Sequence, residues 1–301
     1  LEELALENLS WFNQRKKSVH ELLDKPLLIN FWRPACRDCI EVTQFTNLLH
    51  NTYSNKGLFV VGICVPRFQF EKESDYLRAA VRTLQIEYPV ALDNTGTACK
   101  SFDVKCCPSN YLYLNGRLLY EHIGSGGYYE LETAVRDLLS KAKMLSQSSA
   151  KLNEFSLRLI KDFIDSFNQG RLNVTTSIFF NTLSHPLPKN VWLQGFSESD
   201  REKFCAKTGS QAVLKVKYKG RCVDAVLSNH SNRAAVIEVL LDGTWIKSHM
   251  LGGDVAKHPN DGSYVIVKRP GLYRLIDGGW GRHELLLRSS DGFCVYAVNF
   301  C

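Results

Sequence analysis

Two cysteines three residues apart, Cys36 and Cys39, stand between segments of different periodicity. Before them, Leu27 to Trp32 is a short apolar run with the length and flanks of a buried strand. After them, Ile40, Phe45, Leu48, Leu49 and Tyr53 are spaced like one face of a helix that ends at Lys56-Gly57. Cys36-Arg37-Asp38-Cys39 therefore opens a helix. Two cysteines in a first helical turn can join with little rearrangement, and the unpaired N–H groups there favour a thiolate on Cys36. Cys36 is the expected nucleophile and Cys39 the thiol that resolves a mixed disulfide. Arg37 assists ionisation of Cys36 and Asp38 opposes it. Zinc usually wants a second such pair or histidines at ligand spacing, and neither is seen. The competing reading is a metal-binding or scaffold protein that uses Cys36, Cys39 and Cys107.

The surrounding pattern fits a strand–helix alternation. Leu58 to Val65 and Tyr88 to Leu92 read as further buried strands, with a helix near Leu77, Ala80, Val81 and Leu84 between them, capped by Ser74. Asn110 to Leu114 and Leu118 to Ile123 flank Asn115-Gly116, the strongest short hairpin signal. A helix from about Tyr128 to Ala142 follows. The order predicts a mostly parallel sheet with an antiparallel hairpin at one end and helices on both faces. Residues 1–24 read as an untidy helix. In this setting C-x-x-C is a thioredoxin-type redox motif. Pro108, about 70 residues after the pair, falls where that fold carries a cis-proline, and its backbone neighbourhood would meet an extended substrate. Trp32, Arg37, Asp38 and Cys107 are the expected substrate-facing residues. Cys107, next to the proline, is either a third thiol near the pair or a small apolar filler.

Residues 146–190 read as a linker and a helix, with Leu152, Phe155, Leu159, Phe163 and Phe167 as its apolar stripe. From residue 191 to 301 the pattern changes to short period-two runs between Gly, Asn and Asp, as in a β-sandwich. The whole charge excess of +6 lies in residues 146–301, with 20 basic and 14 acidic side chains, whereas residues 1–145 hold 17 of each. That surplus permits anionic partners but falls short of a nucleic-acid footprint. Lys215, Lys217, Lys219 and Arg221 alternate with apolar residues, so one strand face would carry all four cations. Trp280, Trp245 and Tyr264 are the aromatic candidates for a sugar-binding face, with Trp280 in Gly-Gly-Trp-Gly the best placed for exposure. Six of the ten cysteines lie at positions 36 to 107 and the other four at 205, 222, 294 and 301. Cys205–Cys222 and Cys294–Cys301 are conceivable bonds, with other pairings open. No phosphate loop, G-x-S-x-G or H-E-x-x-H occurs, and no cofactor or metal is expected. No run of 18 apolar residues is present. The chain begins Leu-Glu-Glu and reads as a fragment or processed form.

Leu28-Ile29-Asn30-Phe31-Trp32 followed by Cys36-x-x-Cys39 resembles the TlpA/ResA-like thioredoxins. Val65-Pro66-Arg67-Phe68-Gln69-Phe70-Glu71, Tyr88 to Asn94 and Gly124-x-Gly126-Gly127-Tyr128 narrow the likeness to the soluble part of DipZ-type proteins. The likeness runs on through Leu187-Pro188-x-Asn190-x-Trp192, Asp254 to Gly262, Pro270 to Leu275 and Val295 to Phe300. It implies a thioredoxin-like domain at 1–145 and a carbohydrate-binding-module-like sandwich at 191–301. It also implies an extracytoplasmic thiol–disulfide oxidoreductase, tethered to a membrane in the full-length protein, with disulfide-bonded protein substrates. A CcdA-like membrane partner would donate electrons, a glycan would occupy the sandwich, and the resemblance adds no nucleic-acid partner. Two departures stand out. Arg67 occupies a position where the family favours an acid. Asn30 replaces the buried aspartate of plain thioredoxins, which leaves Glu71 and Glu87 as candidates to take a proton from Cys39.

Overall fold

The computed structural model describes residues 6, 9–13, 25–142, 154–168, 176–179, 188–200, 202–206, 209, 211–230, 233–258 and 262–301. The chain divides into two compact units, Leu1–Leu172 and Asn173–Cys301.

In the first unit β2 (Leu27–Trp32) is fully buried at every position. It pairs in parallel with β3 (Phe59–Cys64), which pairs in parallel with β4 (Val90–Leu92). On the other side β5 (Ser109–Leu114) and β6 (Arg117–Ile123) form the antiparallel hairpin. Its Asn115 and Gly116 both have positive φ, 49° and 72°, as a tight two-residue turn between right-twisted strands requires. The outer edge next to β4 is closed by β1 (Ser10–Phe12), antiparallel. This corrects the helical reading of residues 1–24 at those positions; most of that stretch lies outside the described residues.

Strand alternation splits the core in two. Leu28, Trp32, Val60, Cys64, Val90 and Leu112 face one side. There they meet α1 (Arg37–Tyr53), α2 (Ser74–Thr83), α4 (Tyr128–Lys141) and α5 (Glu154–Asn168). Leu27, Ile29, Phe31, Val61, Ile63 and Tyr111 face the other, over Ala98 and Phe102 around the short α3 (Thr97–Ser101). Helix α1 buries Cys39, Val42, Phe45, Leu49 and Tyr53 along one stripe. Each such apolar side chain contributes about 1.5–3 kcal/mol of burial, so this stripe pins the helix start, and with it the cysteine pair, to the end of β2.

Helix α5 belongs to the first unit. Its buried Ile160, with Leu157, Phe163 and Ile164, covers the α1 side of the core, and Phe163 lies 5.3 Å from Phe45. Of the stripe expected from sequence Phe163 points inward, but Leu159 is exposed. Leu152 lies outside the described residues.

The second unit is a large antiparallel β assembly consistent with a sandwich. Its main path runs β14 (Val255–Lys257), β15 (Ser263–Val267), β12 (Ala235–Leu241), β16 (Gly271–Ser289), β11 (Ala212–Asn229), β17 (Phe293–Phe300), β10 (Lys203–Ala206) and β9 (Phe196–Asp200). Three short strands, β7 (Thr176–Phe179), β8 (Val191–Gln194) and β13 (Thr244–Trp245), pair with β17, β11 and β12. In place of the short runs expected from sequence, β11 and β16 are single strands of 18 and 19 residues. They bend together at register shifts beside Gly220, which faces Gly281. A Cβ on Gly220 would meet the Cys301 carbonyl at 2.9 Å, so the bend needs glycine there.

The four cysteines here form Cys205–Cys294 and Cys222–Cys301, not the pairings offered from sequence. Strand register decides this. Cys205 and Cys294 are direct partners across β10 and β17. Val223 faces Phe300 across β11 and β17, which brings Cys301 opposite Cys222. Among the described residues no helix is long and apolar enough to cross a membrane.

Candidate active site

Helix α1 starts where β2 has delivered the chain to the sheet edge. Cys36 is its N-cap residue, in extended conformation, and its Sγ accepts a hydrogen bond from the Cys39 N–H at 3.2 Å. Cys36 is partly exposed, whereas Cys39, one turn in, is fully buried. Both are free thiols. The two sulfurs therefore sit in opposed environments. The Cys36 thiol is drawn below its ordinary value by the Cys39 side chain, by the Arg33 charge and by the Cys39 backbone N–H, against burial and Asp38. The Cys39 thiol is pushed well above its ordinary value by burial and by Cys36. A thiolate that attacks beside a protonated partner is what disulfide exchange needs.

The peptide bond between Cys107 and Pro108 is cis. Gly124 N–H donates to the Pro108 carbonyl at 2.8 Å, and Ser109 Oγ donates to the Cys106 carbonyl at 2.6 Å, so the loop is held at both sides of the proline. Burial pushes the Cys107 thiol up to about 12, with Arg33 working against that rise and Cys36 adding to it. Cys107 is therefore protonated at neutral pH. Among the described residues, the metal-ligand side chains that lie together are Cys205, His230 and Cys294, of which the two cysteines are joined in a disulfide; Cys36, Cys39 and Cys107, the set of the competing metal reading, are not such a group.

Arg37 and Asp38 are partly exposed in the first turn of α1. Trp32 is not available to a substrate, which corrects the expectation for it. Its side chain is fully buried, and a Cβ on Gly62 of β3 would come within 3.1 Å of its indole nitrogen. It fills the core beneath the site.

Two residues shape the loop from Trp32 to Cys36. The buried Glu71 carboxylate accepts from Ala35 N–H at 3.0 Å, Arg67 N–H at 2.8 Å and Phe68 N–H at 3.1 Å. It clamps the residue before Cys36 to a separate loop. Burial raises the Glu71 carboxyl above its ordinary range despite these bonds and Arg33. Glu87, the other carboxylate considered, is exposed and acts on His50. Arg33 was not singled out by sequence reasoning. Its charge acts on Cys36, Cys39, Cys107 and Glu71 together. The only sequence signal for it is a cation three residues ahead of the first cysteine.

In the second unit Trp280 is 64% exposed, with Lys219 Nζ 5.8 Å from its ring centroid. Trp245 and Tyr264 are partly buried on other strands, Trp245 near Gly262 and Tyr264 near His258. Trp245 pairs with Leu240 and Tyr264 with Glu238, on the same face of β12, and Trp280 stands on β16. Trp192, which sequence did not favour, is 49% exposed under Lys215.

A cysteine pair at a helix start, on a sheet of this topology with a cis-proline loop, defines a thioredoxin-like first unit. Residues 3–118 match the model of the AhpC/TSA family, and residues 163–301 match a thioredoxin like C-terminal domain. Protein DipZ of Mycobacterium tuberculosis is 31% identical over 137 residues, 44% of this chain and 20% of that protein. NHL repeat-containing protein 2 of Bos taurus is 31% identical over 160 residues, 52% of this chain and 22% of that protein. Thiol-disulfide oxidoreductase ResA of Bacillus cereus is 22% identical over 125 residues, 41% of this chain and 69% of that protein. The chain thus spans about a fifth of the length of the first two relatives. It is similar to DipZ-type thioredoxin-like proteins over its first half, and its second half matches a domain described as thioredoxin like and C-terminal.

Proposed function

We propose that this chain is an extracytoplasmic thiol–disulfide oxidoreductase that reduces or isomerises disulfides in protein substrates. The reading rests above all on the opposed environments of Cys36 and Cys39 at the start of α1. The name of the relative ResA, a thiol-disulfide oxidoreductase, points the same way. The Cys36 thiolate attacks one sulfur of a substrate disulfide. A mixed disulfide forms, and one substrate thiolate leaves and takes up a proton. Cys39 then loses its proton and attacks the Cys36 sulfur, releasing the second substrate thiol and leaving a Cys36–Cys39 disulfide. Two electrons from a dithiol donor, a CcdA-like membrane partner in this reading, restore the pair. The backbone beside Pro108 holds the substrate segment, with Arg37 and Asp38 at the rim. The β unit brings the catalyst to a glycan or protein surface. Cys36→Ser is expected to abolish reduction of a protein disulfide such as that of insulin in the presence of a dithiol donor. Undiminished activity overturns the assignment.

A further inference from the structure

The β unit carries a cluster of metal-ligand side chains that the dithiol chemistry does not use. The ligand atoms of Cys205, Cys294 and His230 all lie within 4.8 Å of one another. Strand register explains the gathering. Cys205 of β10 and Cys294 of β17 are direct partners, with Cα atoms 4.0 Å apart. On its other side Cys294 faces Ser228 of β11. His230 stands two residues beyond Ser228, so the alternation carries its side chain to the same face, diagonal to Cys294. Its backbone N–H donates to the Gly292 carbonyl at 2.9 Å, which ties the end of β11 to the start of β17. Its Nδ1 lies 3.8 Å from the Cys294 sulfur.

The disulfide does not account for that contact, because its sulfurs have no proton to donate and accept weakly. The other disulfide has no such neighbour: among the described residues, no third ligand groups with Cys222 and Cys301. Once the Cys205–Cys294 bond is open, the geometry suits a metal. Zinc bonds of about 2.3 Å to sulfur and about 2.0 Å to nitrogen define a tetrahedron in which sulfur stands about 3.8 Å from sulfur and about 3.5 Å from nitrogen. Two sulfurs freed from their bond are pushed toward that separation by their own van der Waals radii, and the nitrogen is already close to its place. Charge balances as well. Cys205 and Cys294 are each 2% exposed, where two thiolates alone would be costly, and a divalent cation neutralises them. His230 is exposed and gives the site an entry path from solvent.

We propose that Cys205, Cys294 and His230 form a redox-gated metal site, closed as a disulfide when oxidised and holding a thiophilic divalent cation of the zinc class when reduced. The inference does not rest on the Cys36–Cys39 chemistry. Two electrons come from a dithiol. One of its thiolates attacks a sulfur of the Cys205–Cys294 bond, that bond breaks, and its second thiolate resolves the mixed disulfide. The donor leaves as a disulfide, and the two cysteines take up its two protons as thiols. The metal then displaces both protons to solvent, binds the two sulfurs and takes the lone pair of His230 Nδ1. A water completes the tetrahedron. The cation thus replaces the covalent link between β10 and β17.

Cobalt(II), a spectroscopic stand-in for zinc, tests it on the whole chain carrying Cys36→Ser and Cys39→Ser, which removes the other thiol pair. After anaerobic reduction with dithiothreitol and removal of the reductant, the chain should bind one equivalent of tetrahedral cobalt more than the oxidised chain does, with thiolate-to-cobalt absorption, and zinc should displace it. Adding Cys205→Ser with Cys294→Ser should remove that equivalent. His230→Ala, at an exposed position, should weaken binding at least tenfold, and it is read alone should the double serine variant melt early. Zinc should also slow alkylation of Cys205 and Cys294 by N-ethylmaleimide in the reduced chain, read by peptide mass spectrometry. A bond that resists dithiothreitol until the chain unfolds overturns the proposal. So does a reduced chain whose cobalt spectrum is the same with and without Cys205 and Cys294, or an affinity that His230→Ala leaves unchanged. In each of these cases the bond is a structural crosslink only.

Discussion

Arg33→Met isolates the charge that acts on both cysteines of the pair. Arg33 is one of three influences that lower the Cys36 thiol, opposed by burial and Asp38. An opposite charge a few ångströms away shifts a pKa by about 1–3 units. Taking the lower end, the variant should raise the Cys36 pKa by about one unit, or ~1.4 kcal/mol. At pH below the parent's Cys36 midpoint the thiolate fraction then falls about tenfold. The more basic thiolate is intrinsically more reactive, by about threefold for a Brønsted slope near 0.5, so alkylation should slow by only about threefold. A destabilised thiolate also destabilises the reduced pair. At pH above both Cys36 midpoints, where the reduced pair is thiolate, the potential should therefore move about 30 mV more negative. Iodoacetamide alkylation of Cys36 followed by mass spectrometry across pH 5–10 gives the first quantity, and a glutathione redox titration the second. Arg33→Lys keeps the charge and should lie close to the parent. A Cys36 midpoint that stays put or falls in Arg33→Met would refute the electrostatic argument.

Two further outcomes test the scaffold. Removing the bond between Cys222 and Cys301, 79 residues apart, with a Cys222→Ser, Cys301→Ser double variant should cost about 4.5 kcal/mol on the chain-entropy account. Denaturant unfolding under non-reducing conditions measures this, and a loss below about 1 kcal/mol contradicts the pairing. Glu71→Gln should destabilise the chain by about 1–3 kcal/mol, because an amide cannot accept from all three N–H groups. The parent's raised Glu71 carboxyl contributes stability that is full below its ordinary pKa and lost as pH rises through the raised value. The gap between parent and variant should therefore narrow from pH 4 to pH 7, and a widening gap would show that the fold lowers this pKa instead.

The parts of the fold legible in sequence are those fixed by local chemistry. The apolar run before Cys36, the helix after it and the Asn115-Gly116 turn each follow from neighbours a few residues away. So does the alternation that sets Lys215, Lys217 and Lys219 on one face of β11. What sequence missed depends on contacts between distant segments. Residues 10–12 follow Leu4, Leu6 and Leu9 in an apolar stretch of untidy period that does not distinguish strand from helix, yet they pair with β4 and become a sheet edge. Trp32 looked like a rim residue until Gly62 and Tyr88 closed over it. The disulfides follow strand register, which spacing cannot reveal. Arg33 gains its importance only when β2, the Glu71 loop and the Cys107 loop converge.

The central claim is that Cys36, and no other thiol, attacks the substrate. Cys39→Ser should stop the second step and trap the first product. Incubated with a disulfide-bonded peptide and resolved by non-reducing mass spectrometry, that variant should carry the peptide on Cys36. The adduct should persist when Cys107 is also replaced by alanine, since that thiol is held protonated near neutral pH. A peptide found on Cys106 or Cys107, or no adduct at all, contradicts the account.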